Sequence, residues 1–253
     1  MIPDSKLRNH QLRAVEAMKS VDAACQKHGI KYFLIAGSAL GAVRHRGFIP
    51  WDDDIDLGMT LDQFGKFLAI APSAIRPPYV WRHTSVDETF PTLTGRILLG
   101  DDEALITVFP LVKLSDNPLV RKLQWAVRKT VSAVWQRKIG HRFRRPKKGF
   151  KGTPTVVLAT LLSAFFTKRT LLSFLRRNER LCEGRRVRRY CNIYSKYSME
   201  KESIRADWLE ESVRLPFEDA AFPVMKEYDA YLTHLYGDYM TPPPEHQRRP
   251  VHL

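Results

Sequence analysis

The stretch Tyr32–Met59, YFLIAGSALGAVRHRGFIPWDDDIDLGM, constrains the chain more than any other part of it. Its apolar opening, Tyr32 to Ala36, runs into Gly37-Ser38, the pattern of a buried strand that leads into a helix N-terminus. A glycine there lets backbone approach a ligand, and amide groups at a helix start favour an anion such as phosphate. The stretch closes on Asp54-Ile55-Asp56-Leu57. Side chains alternate faces along a strand, so Asp54 and Asp56 share one face and Ile55 and Leu57 the other. Two carboxylates about 7 Å apart on one strand face can converge on a hard divalent cation, or on a pair of them. A phosphate cradle followed by a metal-binding strand is half of a phosphoryl- or nucleotidyl-transfer site. The plainer alternative for Asp52, Asp53, Asp54 and Asp56 is a solvated acidic loop beside a strand.

From Gly37 to Met59 the residues follow the pattern GS-x-LG-x-x-RH-x-G-x-I-P-W-DDDID-x-G-M. In this the chain resembles the LicD family of phosphocholine transferases, a branch of the nucleotidyltransferase fold related to the fukutin-type glycan phosphotransferases. The similarity resumes in Phe217-Glu218-Asp219, in Phe222-Pro223-Val224, and from Tyr228-Asp229 through Tyr231-Leu232 to Leu235-Tyr236-Gly237-Asp238-Tyr239-Met240. With the Gly-Ser turn upstream, the resemblance favours metal binding over the solvated loop. It implies Mg2+ or Mn2+ held by Asp54 and Asp56, with Asp52 on the same side. Asp53 is grouped with the substrate-binding residues and is expected to point away from the metal or to bond backbone amides. Gly37 and Ser38 are expected to hold a phosphate. Arg44, His45 and Arg46 are expected to contact the diphosphate, although cations at a helix end also offset the dipole there. One departure stands out. The family reads I-D-I-F-P on a later strand, and its aspartate resembles a third metal carboxylate; here the stretch is Ile106-Thr107-Val108-Phe109-Pro110. A hydroxyl is a poor substitute for an anion at a magnesium site, which turns attention to Asp101, Asp102 and Glu103 in the preceding loop.

Charge marks a second region. Of the chain's 41 lysines and arginines, 21 lie between Arg121 and Arg189, where Glu179 and Glu183 are the only acidic residues; the remainder has 20 basic residues against 25 of the 27 acidic ones. The net +14 is therefore the property of one segment, which implies an anionic partner for it. An apolar stripe, Leu119, Leu123, Val127, Val131 and Val134, alternates there with basic residues and with Trp125 and Trp135. A basic loop, His141 to Lys151, and an apolar run, Thr155 to Phe166, follow. A basic amphipathic helix with tryptophans suits the face of an anionic membrane, and a phosphate-bearing glycan would fit it too. Nucleic acid comes behind both, because no nucleic-acid-binding motif is present. The expected contacts are Arg128, Lys129, Arg137, Lys138, Trp125 and Trp135. The apolar run is too short to span a bilayer. The polar N-terminus lacks the apolar core of a signal peptide. Cys25, Cys182 and Cys191 show no CxxC spacing, which argues for a reducing compartment without a disulfide framework or zinc site. The expected location is cytoplasmic, peripheral on the inner face of the membrane.

Periodicity predicts a helix over 5–28 with Leu12, Val15, Met18, Val21 and Cys25 inward, ended by Gly29. A short helix is predicted over 39–46, and another over 61–71 with a Thr60/Gln63 capping box and a stop at Pro72. Strands are predicted over 79–84, 93–98 and 104–109, a basic helix over 168–182, a hairpin over 215–224 and a helix over 226–236. The resulting fold is α/β (α+β): a nucleotidyltransferase-like mixed sheet with flanking helices. Residues 1–118 form the catalytic core, 119–190 a basic helical insertion, and 191–253 the C-terminal part of the core. The resemblance implies a CDP-activated small alcohol, most simply CDP-choline, as donor and a sugar hydroxyl of a cell-surface glycan precursor as acceptor. CMP would leave. The base is an aspartate of the 52–56 cluster, or none beyond metal activation. The alternatives are a nucleotidyltransferase acting on nucleic acid or another acceptor, and a catalytically impaired relative that acts as a binding module.

Overall fold

A computed structural model describes residues 5–87, 90, 93–100, 103–139, 164–195 and 197–248, without the side chains of Gln136, Arg137, Ile139 and Gln247. Helix α1, Ser5–Lys27, buries Ala14, Val15, Met18, Val21 and Cys25. Leu12, expected inward, is 45% exposed, because His10 and Gln11 take the inward positions of that turn. Gly29 at φ +61 ends the helix, and the Ile30 amide donates back to the Cys25 carbonyl, the double-bonded terminus that a left-handed glycine permits.

The chain then builds a seven-stranded mixed sheet from β1 (Phe33–Leu34), β2 (Ile55–Thr60), β3 (Tyr79–Arg82), β4 (Gly95–Leu99), β5 (Glu103–Leu114), β6 (Arg189–Cys191) and β7 (Ser203–Arg205). The order is β1-β2-β5-β4-β3, with β6 on the far half of β5 and β7 beside β6. Among the described residues only β2 and β5 run parallel. Strand β5 outruns the expected 104–109 because it serves two partners along one edge: β4 up to Val108 and β6 from Val112. Pro110 falls in the gap between them, where one edge carries no ladder, the position in which a strand tolerates proline.

Helix α2, Ala36–His45, starts three residues earlier than the sequence indicates, so Gly37 and Ser38 lie within its first turn. Helix α3, Leu61–Ala74, runs past Pro72, and the Ile75 amide still bonds the Ala71 carbonyl. The capping box does not form. Thr60 and Gln63 both donate to the Asp62 carboxylate, and the Gln63 carbonyl receives the Lys31 amide instead. Helix α4, Pro118–Ile139, begins with proline at its first position and with Asn117 Oδ1 accepting the Leu119 and Val120 amides, a pre-set and capped start. Helix α5, Lys168–Glu179, is capped by the Thr167 hydroxyl. The hairpin of β8 (Ser212–Phe217) and β9 (Ala220–Met225) follows, then helix α6, Tyr228–Tyr236. The loop 141–151 and most of the apolar run 155–166 lie outside the described residues.

One large core joins α1, α2, α3, the sheet, the hairpin and α6. Val134, Trp135, Leu171 and Leu172 form a separate small core between α4 and α5.

Candidate active site

The β1–α2 junction is fastened to the acidic strand by two hydrogen bonds. Ile35 N–H donates to the Asp56 carbonyl at 3.0 Å, and Asp56 N–H donates to Ser38 Oγ at 2.8 Å. Ala36 sits at φ +49, a conformation that costs a non-glycine residue on the order of 1 kcal/mol, and its amide is held by the Tyr231 hydroxyl at 3.0 Å. A Cβ on Gly37 would stand 2.7 Å from Asp52 Oδ2, so only glycine lets that carboxylate lie over the first turn of α2. The cradle is narrower than the sequence suggests. The amides of Ala36, Ser38 and Ala39 all bond within the protein, and the anion nearest the helix start is Asp52 itself.

The acidic loop is held from behind by α1. His10 Nε2 lies 2.6 Å from the Asp53 carbonyl, and Gln11 donates to the Asp52 carbonyl at 2.9 Å. Carboxylate oxygens of Asp52, Asp53 and Asp54 come within 4.8 Å of one another, a hard-oxygen set that suits a divalent cation. Asp53, expected to point away, contributes to this group, and it is 1% exposed. Asp56 stands beside them. Burial raises its pKa well above the ordinary carboxylate value, the charges of Asp54, Asp52 and Glu202 add to the rise, and Arg96 opposes it. Crowded carboxylates of this kind are stabilised by a cation between them.

Four residues that the sequence does not assign to the site take part in it. Glu202, from the segment before β7, is 5% exposed, receives the Ser195 hydroxyl and acts electrostatically on Asp56. Tyr231 and Tyr236 of α6 also lie within the electrostatic reach of Asp56. Arg96 on β4 is the fourth. The register runs Asp56, Thr107, Arg96 across β2, β5 and β4, so the three share one sheet face. Nothing local distinguishes Glu202, but Arg96, a lone charge in an apolar strand, was a legible signal. Thr107 thus does stand next to Asp56. Among the acids considered as its replacement, Glu103 bonds His10 Nδ1 at 2.5 Å and lies 3.9 Å from Arg13, while Asp101 and Asp102 lie outside the described residues.

Arg44, His45 and Arg46 sit at the other end of α2, roughly 10 Å along its axis from Gly37 at about 1.5 Å per residue. Arg44 donates to the Tyr239 carbonyl, His45 meets Trp51 edge-on at 6.5 Å, and the Arg46 carbonyl receives the Glu218 amide. Burial, and Arg44 beside it, lower the pKa of His45. The helix end therefore fixes the C-terminal segment against the core.

On the basic region two expected outward contacts turn inward. Trp135 is 1% exposed within the α4–α5 core, because the apolar stripe of α4 closes on Leu171 and Leu172. Arg128 is 7% exposed and stacks between the rings of Trp125 and Tyr194, at 5.8 and 5.2 Å. Lys129 is exposed, 4.9 Å above Trp125; Lys138 is half-buried, and the Arg137 side chain lies outside the described residues. Leu119 and Leu123 of the apolar stripe are 75% and 60% exposed. No helix among the described residues is long and apolar enough to cross a membrane.

The mixed sheet with an acidic strand beside a helix start is consistent with a nucleotidyltransferase-like α+β fold. Residues 29–92 match the profile described as the LicD/FKTN/FKRP nucleotidyltransferase domain. Over 266 aligned residues it is 27% identical to the lipopolysaccharide cholinephosphotransferase LicD of Haemophilus influenzae, covering 98% of this chain and 96% of that protein. It is 46% identical over 56 residues to the human ribitol 5-phosphate transferase FKRP, covering 22% of this chain and 11% of the human protein. An uncharacterized protein of Rickettsia typhi is 36% identical over 75 residues, which is 30% of this chain and 24% of that one.

Proposed function

We propose that the protein transfers a phospho-alcohol, phosphocholine in the simplest case, from a CDP-activated donor to a sugar hydroxyl of a cell-surface glycan precursor. The observation that carries this reading is the meeting of Asp52, Asp53, Asp54 and Asp56 with the first turn of α2, in a chain similar along its length to a cholinephosphotransferase. Mg2+ or Mn2+, held by Asp54 and Asp56 with Asp52, would supply positive charge against the negative charge that builds on the phosphate oxygens. Ser38 and Ile35 pin the backbone of Asp56, so its carboxylate is positioned before substrate arrives. His10 and Gln11 do the same for Asp53 and Asp52 through their carbonyls. The acceptor oxygen forms a bond to the phosphorus that bears the alcohol. The bond from that phosphorus to CMP breaks, and the hydroxyl proton passes to a carboxylate of the cluster.

The exposed Leu119 and Leu123, with Lys122 and Lys129 on the same helix, support attachment of the basic region to an anionic membrane or lipid-linked acceptor. The test of the chemistry is a panel of activated donors with magnesium and a lipooligosaccharide acceptor. CMP release from CDP-choline supports the reading. Pyrophosphate release from CTP, with CDP-choline left intact, favours nucleotidyl transfer instead.

A further inference from the structure

Arg96 has no conventional role in the fold. It lies in an otherwise apolar strand, GRILL, beside the one sheet face that carries the acidic cluster. Its neighbour across β5 is Thr107, whose own neighbour across β2 is Asp56. Paired positions in a sheet have their Cβ atoms about 5 Å apart, so Arg96 starts roughly 10 Å from Asp56 and its side chain spans much of that gap. Arg96 lies within electrostatic reach of Asp54 and Asp56. Yet Arg96 is half-buried, makes no ion pair at bonding distance among the described residues, and its buried Nε has no hydrogen-bond partner there. Burying that Nε without a partner costs free energy. Gly95 beside it is covered by the Trp81 ring, only 2.1 Å from where a Cβ would stand, so the strand is clamped and Arg96 is held at its post.

We propose that Arg96 is a phosphate-binding residue of the site: its guanidinium takes an oxygen of the donor's diphosphate from the side opposite the aspartates. Thr107 between them is neutral, so no carboxylate directly beside Arg96 quenches it, and a phosphate there would bridge the aspartate-held cation to the guanidinium. A guanidinium suits this task because it stays charged and offers a planar fork of donors to phosphate oxygens. Naming the diphosphate rests on the function proposed above; the anion-binding role of Arg96 rests on the geometry alone.

The experiment is calorimetric titration of the wild-type chain, Arg96→Met and Arg96→Lys with three probes in the presence of Mn2+: cytidine, CDP and inorganic pyrophosphate. Manganese binding without nucleotide is followed separately by electron paramagnetic resonance. In Arg96→Met, affinity for CDP and for pyrophosphate should fall about tenfold or more, as expected for losing a charged hydrogen bond of roughly 1.5–3 kcal/mol. Cytidine binding should be unchanged. Manganese binding should be unchanged or tighter, because a neighbouring positive charge has gone. Arg96→Lys should recover part of the pyrophosphate affinity, and serves as the folded comparison where the methionine variant does not fold. Equal pyrophosphate affinity in wild type and variant overturns the proposal, as does an equal loss for cytidine and CDP. Wild-type protein that binds pyrophosphate in an Arg96-dependent way but ignores CDP would sustain the role of Arg96 while refuting the CDP donor.

Discussion

Ser38 Oγ accepts the backbone N–H of Asp56 at 2.8 Å, so the first turn of α2 and the acidic strand are one mechanical unit. Ser38 is 3% exposed, and removing its hydroxyl leaves the Asp56 amide without its acceptor. Ser38→Ala should therefore cost about 1–3 kcal/mol of stability, the range for an orphaned buried donor. Activity should fall further than stability, because the Asp56 carboxylate loses its fixed position. Thermal unfolding and CMP release on the same samples separate the two effects.

Asp56→Asn should reduce turnover by at least about a hundredfold, since a metal-facing carboxylate contributes several kcal/mol to the transition state. In metal-free buffer the same variant should be as stable as wild type or more so. The reason is the sign of its shift: burial and three neighbouring acids raise the Asp56 pKa, so the ionised form destabilises the fold above that value. A melting temperature that drops in metal-free buffer at neutral pH would contradict this placement.

Glu218 behaves in the opposite way. The hydrogen bond from Arg8 holds its pKa below the ordinary glutamate value, and its carboxylate also receives the Phe48 amide at 3.1 Å. Its stabilisation is full above the unfolded-state pKa of about 4.3 and is lost as pH falls through the folded value. Unfolding between pH 7 and pH 3 should show a steeper acid loss in wild type than in Glu218→Gln, with the variant less stable at pH 7. Parallel curves would show that the pair contributes nothing.

The fold was legible where periodicity and punctuation agreed: α1 with Gly29, the β8–β9 hairpin, and the acidic strand within a mixed sheet. Boundaries shifted where tertiary bonds overruled local signals, as at Thr60 and Gln63, whose side chains found Asp62 and Lys31. At the site, the sequence placed Gly37, Ser38 and the aspartates in one stretch, and the chain does bring Ser38 to Asp56 and Gly37 to Asp52. His10 and Glu202 carry no local signal, because they reach the cluster across long sequence separations, and Arg96 is marked only as a lone charge in an apolar strand. The stripe on α4 misled on Trp135 because its alternative partner, α5, lies beyond a long loop.

Trp135 offers a test of that correction. Trp135→Ala should destabilise the α4–α5 pair by about 3–5 kcal/mol, the range for emptying a buried tryptophan site. At a temperature where the variant stays folded, binding to anionic vesicles should match wild type. Weaker vesicle binding without a change in melting temperature would return Trp135 to the surface.

The central claim is phospho-alcohol transfer at the aspartate cluster, and the most direct measurement follows label from CDP-choline, carried on the choline, into a lipooligosaccharide acceptor with magnesium. Wild-type protein should move the label into the acceptor with one CMP released per choline transferred, and Asp54→Asn should abolish both while remaining folded. Equal label transfer by Asp54→Asn and wild type, or CMP release that proceeds without label reaching any glycan, would contradict it.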